Sequence, residues 1–308
     1  MIWFLLIVAL CSMAVTGQDV SAQPIRVPLK KTTIALKSPP KYERRIIGQD
    51  PKTGQFRYYD PKPQIIVLDA RAKKYGLRWI GYDGKEKTIV YQRPDAVDVV
   101  VSASVSAAAG RKYLYVYDII SLRSSIGYVS TVAVQNYSSN VIPIKSPRLY
   151  VGAITKNARE FKLGNWIGFG VLSHDVTPGK HFVVKLLSSA PPGLVECRAA
   201  GVLGMKGVGE EPPQELENML PGYEIWPHGY TLGPNDQLQT LSRHERTNYI
   251  AGLLPQMREL GWLTRSASGW YEQNLFSDNL NGLIRHADED LKQGAITSEL
   301  HDMITSIP

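Results

Sequence analysis

Between Tyr113 and Gly201 six strand-length runs follow one another: YLYVYDII (Tyr113–Ile120), YVSTVAVQ (Tyr128–Gln135), PRLYVGAI (Pro147–Ile154), NWIGFGVL (Asn165–Leu172), HFVVKLLS (His181–Ser188) and LVECRAAG (Leu194–Gly201). Each is rich in Val, Ile, Tyr, Phe or Trp, whose stiff or flat side chains suit a pleated surface. The breaks include Thr177-Pro178-Gly179 and Ala190-Pro191-Pro192-Gly193, where Pro pre-sets φ and Gly supplies positive φ. Connections this short cannot hold a parallel crossover, so the strands are expected to be antiparallel. The expected fold class is mainly β, with an antiparallel β-sandwich over residues 63–205.

Moving towards the N-terminus, IIVLDA (Ile65–Ala70) reads as a strand. GLRWIGY (Gly76–Tyr82) and KTIVYQ (Lys87–Gln92) flank Asp83-Gly84, a strong short-range hairpin signal. RPDAVDVVVSASV (Arg93–Val105) then leads through another strand into the central block. Residues 23–62 form a basic, Pro-rich arm. Its prolines, among them Pro24, Pro28, Pro39 and Pro40, break helices and deny sheet hydrogen bonds. Lys30, Lys31, Lys37, Lys41, Arg44 and Arg45 keep it solvated and are the candidate contacts for a polyanion.

The charge is unevenly spread. Residues 23–95 carry 17 Lys/Arg against 7 Asp/Glu, whereas residues 96–308 carry 18 against 20. A basic third serves solubility, or attracts nucleic acid, anionic headgroups or acidic polysaccharide. The first 22 residues argue against nucleic acid. MIWFLLIVALCSMAVTG carries an apolar stretch shorter than the roughly 20 residues that span a bilayer. Val20-Ser21-Ala22 follows as a signal-peptidase site, with Gly17 as a second one. Residues 1–22 are thus expected to be an export leader, with retention as an anchor as the alternative. Removing them leaves Cys197 alone, so no internal disulfide is expected. Cys197 reads as a small buried hydrophobe.

Towards the C-terminus, residues 206–241 are expected to form an irregular connector punctuated by Pro and Gly. Tyr223, Trp226 and Tyr230 within it either pin the connector to the sandwich or form a platform for a ligand or partner. From residue 242 the apolar period shifts towards 3.6. Tyr249, Ile250, Leu253, Leu254, Met257 and Leu260 share one face, ended by Gly261. A helix is expected around Ser266–Phe276, another N-capped by Ser277 with Leu280, Leu283, Ile284, Ala287 and Leu291 inward, and a last one from Thr297. Residues 242–308 are thus expected to be a small helical bundle.

Catalytic signatures do not emerge. No histidine pair has H-E-x-x-H or H-x-H spacing, and there is no G-x-S-x-G elbow, P-loop or dinucleotide fingerprint. Gly204-Met-Lys-Gly-Val-Gly209 has the glycines and Lys of a phosphate cradle but runs into Glu210-Glu211, which repel an anion. His286, Asp288, Glu289 and Asp290 are expected to fan around a solvated helix face. Trp79 and Trp166, mid-strand, are expected in packing roles. No catalytic, metal-binding or cofactor-binding residue is nominated, and no cofactor is implied.

Tyr113-Leu-Tyr-Val-Tyr, Trp166-Ile-Gly-Phe, Pro178-Gly179 and Ser188-Ser-Ala-Pro-Pro-Gly-Leu-Val-Glu-Cys-Arg198 resemble uncharacterised exported bacterial proteins with an immunoglobulin-like β-sandwich. Leu260-Gly-Trp-Leu263 with Leu280, Ala287, Leu291 and Gly294 is similar to the helical FIMAH module of bacterial surface proteins. Neither resemblance implies an assigned reaction. The reading that follows is an exported, non-enzymatic binding or structural protein of the envelope or secretome, partnered by an envelope component or protein, with no span in the mature chain. The alternatives are a hydrolase or carbohydrate-active enzyme with dispersed carboxylates, and a subunit that self-assembles by strand exchange.

Overall fold

The structure is a computed structural model that describes residues 27–32, 45–49, 52–54, 56–59, 64–81, 83–144, 149–153, 166–171, 176–201, 212–213, 216, 219–221 and 223–308. The leader, Lys37, Lys41, Arg44 and the glycines from 204 to 209 lie outside the described residues. In chain order the strands are β1 (Arg45–Gln49), β2 (Phe56–Tyr59), β3 (Gln64–Asp69), β4 (Lys74–Ile80), β5 (Glu86–Gln92), β6 (Val99–Ala108) and β7 (Lys112–Ser121). They continue with β8 (Val129–Gln135), β9 (Val141–Pro143), β10 (Leu149–Ala153), β11 (Trp166–Val171), β12 (His181–Ser188), β13 (Pro192–Gly201) and β14 (His228–Pro234).

Two antiparallel sheets make the sandwich, one ordered β6-β7-β12-β9 and the other β10-β11-β8-β13-β14. The alternation in the sequence sets their inner faces. Tyr115, Tyr117 and Ile119 of β7 point inward with Val184 and Leu186 of β12, and meet Val132, Val134, Phe169, Val195 and Cys197 from the other sheet. The rings of Tyr117 and Phe169 lie 5.7 Å apart between sheets. Cys197 is fully buried, and burial pushes its thiol pKa up, which keeps it a small unreactive hydrophobe.

Residues 228–234 depart from the expected irregular connector: HGYTLGP is β14, paired with β13 from Pro192↔Pro234 to Arg198↔His228. Its glycines are packing requirements. A Cβ on Gly233 would lie 2.6 Å from Val195 Cγ2 and 2.9 Å from the Gln135 carbonyl. Another part of the connector covers a separate core. β3, β4 and β5 form a three-stranded sheet whose Leu77, Trp79, Ile89 and Tyr91 are buried under Leu216 and Met219. The Asp83-Gly84 hairpin lies in this sheet, with Ile80 opposite Glu86 and Gly84 at φ 72°. Lys73 Nζ donates to Asp95 Oδ2 at 2.6 Å, and Arg93 Nε to Asp95 Oδ1 at 3.0 Å, where this sheet meets the sandwich.

The tail forms four helices, α1 (Arg243–Glu259), α2 (Arg265–Asn274), α3 (Leu280–Gln293) and α4 (Ser298–Thr305). Ser242 and Glu245 close a capping box on α1, which runs through Pro255. Asn279, not Ser277, caps α3: its Oδ1 accepts from Gly282 N at 2.9 Å, while Ser277 Oγ accepts from Asn279 N. The acidic face of α3 is less solvated than expected. Asp290 is buried, His286 stacks on Trp270 at 3.6 Å, and Asp288 accepts from His301, because α3 packs between α2 and α4. Among the described residues no helix is long and apolar enough to cross a membrane.

Candidate functional site

The tail docks on one side of the sandwich, and its core is continuous with the core between the sheets. Hydrogen bonds from α1 and α4 fix it. Leu194 N donates to the Tyr249 hydroxyl at 3.2 Å, tying α1 to β13. Buried Arg246 donates to the Leu238 carbonyl at 3.0 Å and the Ser306 carbonyl at 2.6 Å. Glu299 Oε1 and Asp302 Oδ2 of α4 accept the backbone N–H groups of Ala103 and Val105, on the outer edge of β6. An edge strand presents unpaired backbone groups, and here two carboxylates take the place of a neighbouring strand.

The same side is sealed by a piece of the N-terminal arm. Leu29 N donates to the Val99 carbonyl at 2.8 Å. Lys30 N donates to the His228 carbonyl at 2.6 Å, and His228 N returns a bond to the Lys30 carbonyl at 2.8 Å. Residues 28–30 therefore bridge β6 of one sheet and β14 of the other. Buried Leu29 fills the space beside Gly229, where a Cβ would come within 2.8 Å of Leu29 Cδ2.

Between arm, β6, β14 and tail lies a cavity of about 230 Å³. Val27, Leu29, Val100, Leu260 and Trp262 give it apolar walls, and Lys30, His228, Tyr230, Glu259, Thr297 and Glu299 contribute polar groups. Apolar walls with a few convergent polar groups are the usual make-up of a small-ligand site. Glu299 is almost wholly buried. Burial raises its pKa, opposed by hydrogen bonds that include the one from Ala103.

The candidates from the sequence separate here. Lys30 and Tyr230, both exposed, line this cavity from elements 200 residues apart in the chain. Lys31 is engaged in an ion pair with Asp98 at 2.6 Å. Arg45 opens β1, and Tyr223 opens a short 3-10 helix, Tyr223–Ile225. Trp226 is half-buried and does not line the cavity. Trp79 is buried in the small core, and half-buried Trp166 lies under the Arg198 guanidinium, 5.7 Å from its ring centre. Sequence reasoning missed Trp262, Glu259 and Glu299 as cavity residues, because nothing in a helical period marks the side that meets a distant strand. Among the described residues no cluster of His, Cys, Asp and Glu is arranged to hold a metal ion.

The architecture is an antiparallel β-sandwich with a C-terminal helical region. No protein-family model matches the chain, and no curated protein matches it. Among solved structures, an uncharacterised protein from Nocardia farcinica described as having an immunoglobulin-like fold aligns with 42% of this chain and 96% of its own, at 12% identity and a TM-score of 0.26.

Proposed function

We propose that this is an exported, non-enzymatic binding protein of the bacterial envelope, with its N-terminal basic third as the contact for an anionic envelope component. The observation that carries the proposal is the meeting of Lys30 and Tyr230 at one cavity, formed where the arm is stitched across both sheets. A cation and an aromatic ring beside apolar walls suit an amphipathic, anionic ligand. Co-sedimentation of the protein with isolated cell-envelope material tests this, at low and high salt. Lys30→Glu and Tyr230→Ala are expected to reduce the bound fraction, and salt to weaken what remains. Wild-type protein left wholly in the supernatant at both salt concentrations overturns the reading.

Hydrolysis by dispersed carboxylates is the second reading, and it draws on Glu259 and Glu299 lining the same cavity. Against it, Glu299 already accepts hydrogen bonds from Ala103 N and Ser298 Oγ. Turnover of an envelope polysaccharide that disappears in Glu259→Gln would favour this reading.

A further inference from the structure

The outer face of the small sheet is built differently from its buried face. In the paired register Ile66, Gly76 and Val90 lie side by side across β3, β4 and β5. Leu68, at the register shift between Val67 and Asp69, lies over the same face, with its methyl groups 3.4–3.6 Å from the position a Cβ on Gly76 would take. Leu68 thus covers Gly76, beside Val90; Leu68 remains 51% exposed and Val90 42%. Exposed aliphatic side chains set side by side, on a sheet whose other face buries Leu77, Trp79, Ile89 and Tyr91, mark an interaction surface.

The charges around the cluster specify the partner. Lys73, Lys87 and Arg78 are paired with Asp95, Asp83 and Glu86. Asp69 accepts from Ala72 N within the β3–β4 turn. Arg71, in the β3–β4 turn, and Lys74, opposite Asp69 in the register, are exposed and form no ion pair among the described residues. Exposed aliphatic side chains flanked by free cations match the interface of an anionic bilayer, with acyl chains below and phosphates above.

We propose that the Leu68–Val90 face, with Arg71 and Lys74, docks the protein on an anionic lipid bilayer. This rests on the envelope reading above and specifies its partner as lipid.

Flotation of the full chain with phosphatidylglycerol–phosphatidylcholine vesicles, and with phosphatidylcholine vesicles alone, tests the proposal. Wild-type protein is expected to float with the anionic vesicles. Leu68→Lys and Val90→Lys add positive charge but remove apolar contact, and are expected to weaken binding about tenfold. Ile142→Lys, a replacement at another exposed apolar position, is expected to leave it unchanged. Equal or tighter binding by Leu68→Lys overturns the proposal, since attraction would then be purely electrostatic. Binding to envelope material but not to vesicles overturns it while leaving the envelope reading intact; binding to neither removes both. The second measurement uses Leu68→Cys in a Cys11→Ser background, labelled with an environment-sensitive fluorophore; buried Cys197 is protected. A blue shift on vesicles, quenched by nitroxide-labelled acyl chains, supports insertion, and an unchanged spectrum in the vesicle-bound protein overturns it.

Discussion

Glu299 Oε1 accepts the backbone N–H of Ala103 at 2.9 Å, across 196 residues of sequence. Two residues further along β6, Val105 N–H donates to Asp302 Oδ2 at 2.6 Å. Successive outward-facing amides of an edge strand are thus capped from a single turn of the last helix. Such amides, left open, are a template for pairing with another chain. The helical tail therefore supplies part of the sandwich's protection as well as part of its core.

Removing that cap has a defined cost. Glu299→Ala leaves the Ala103 N–H buried without an acceptor and is expected to destabilise by about 2–3 kcal/mol. Glu299→Gln retains an acceptor oxygen without a charge to desolvate, and is expected to cost about 1 kcal/mol or less. Urea unfolding of the two variants checks the ordering. Sedimentation velocity checks the consequence: Glu299→Ala is expected to self-associate with rising concentration, and Glu299→Gln to remain like the wild type.

His301 ties this contact to pH. Its Nδ1 lies 2.9 Å from Asp302 Oδ1 and its Nε2 2.9 Å from Asp288 Oδ1, so one ring joins α3 to α4. The Asp302 hydrogen bond raises its pKa above the ordinary 6.5, aided by Asp288 and opposed by burial. A raised imidazole pKa gives stability that is full below 6.5 and is lost as pH rises through the folded value. Glu299 acts in the same sense in a lower window, since a raised carboxyl pKa disfavours the folded state as pH climbs above 4.5. Thermal unfolding from about pH 6 to about pH 9 is expected to show a falling Tm for the wild type. His301→Ala is expected to flatten that slope, and an unchanged slope would mean that the imidazole titrates alike in the folded and unfolded states.

Much of the sandwich is legible in the sequence because its strands carry their own signal. Tyr113–Ile120 and His181–Ser188 alternate clearly, and they pair along their whole length as β7 and β12. β14 is hidden because its local chemistry is that of a loop. HGYTLGP holds two glycines and a proline, and the glycines are there because neighbouring side chains and, at Gly233, a backbone carbonyl occupy the space of a Cβ. The cavity is hidden for a different reason. Lys30 and Tyr230 meet only after residues 28–30 join two sheets, a pairing of backbone groups that no side-chain period records.

Gly233 gives that argument a direct check. A methyl group there meets both Val195 and a backbone carbonyl that cannot move aside without breaking the ladder. Gly233→Ala is expected to cost more than about 2 kcal/mol, although alanine favours ordered backbone over glycine in most contexts. A stability equal to the wild type would show that β13 and β14 can separate without loss.

At Gly229 the obstructing atom is the far end of one side chain, Leu29 Cδ2 at 2.8 Å, so the outcome depends on Leu29. Leu29→Ala removes most of a buried side chain from the seam and is expected to cost about 2 kcal/mol. Gly229→Ala alone forces Leu29 to shift, at about 1 kcal/mol. In the double variant the new methyl occupies space that Leu29 has vacated, so the second substitution is expected to cost nothing or to recover part of the loss. A coupling energy of about 1 kcal/mol in that cycle would establish the contact in solution, because independent sites add. Strict additivity would mean that residues 28–30 leave the seam, and the cavity beside Lys30 would then have no wall.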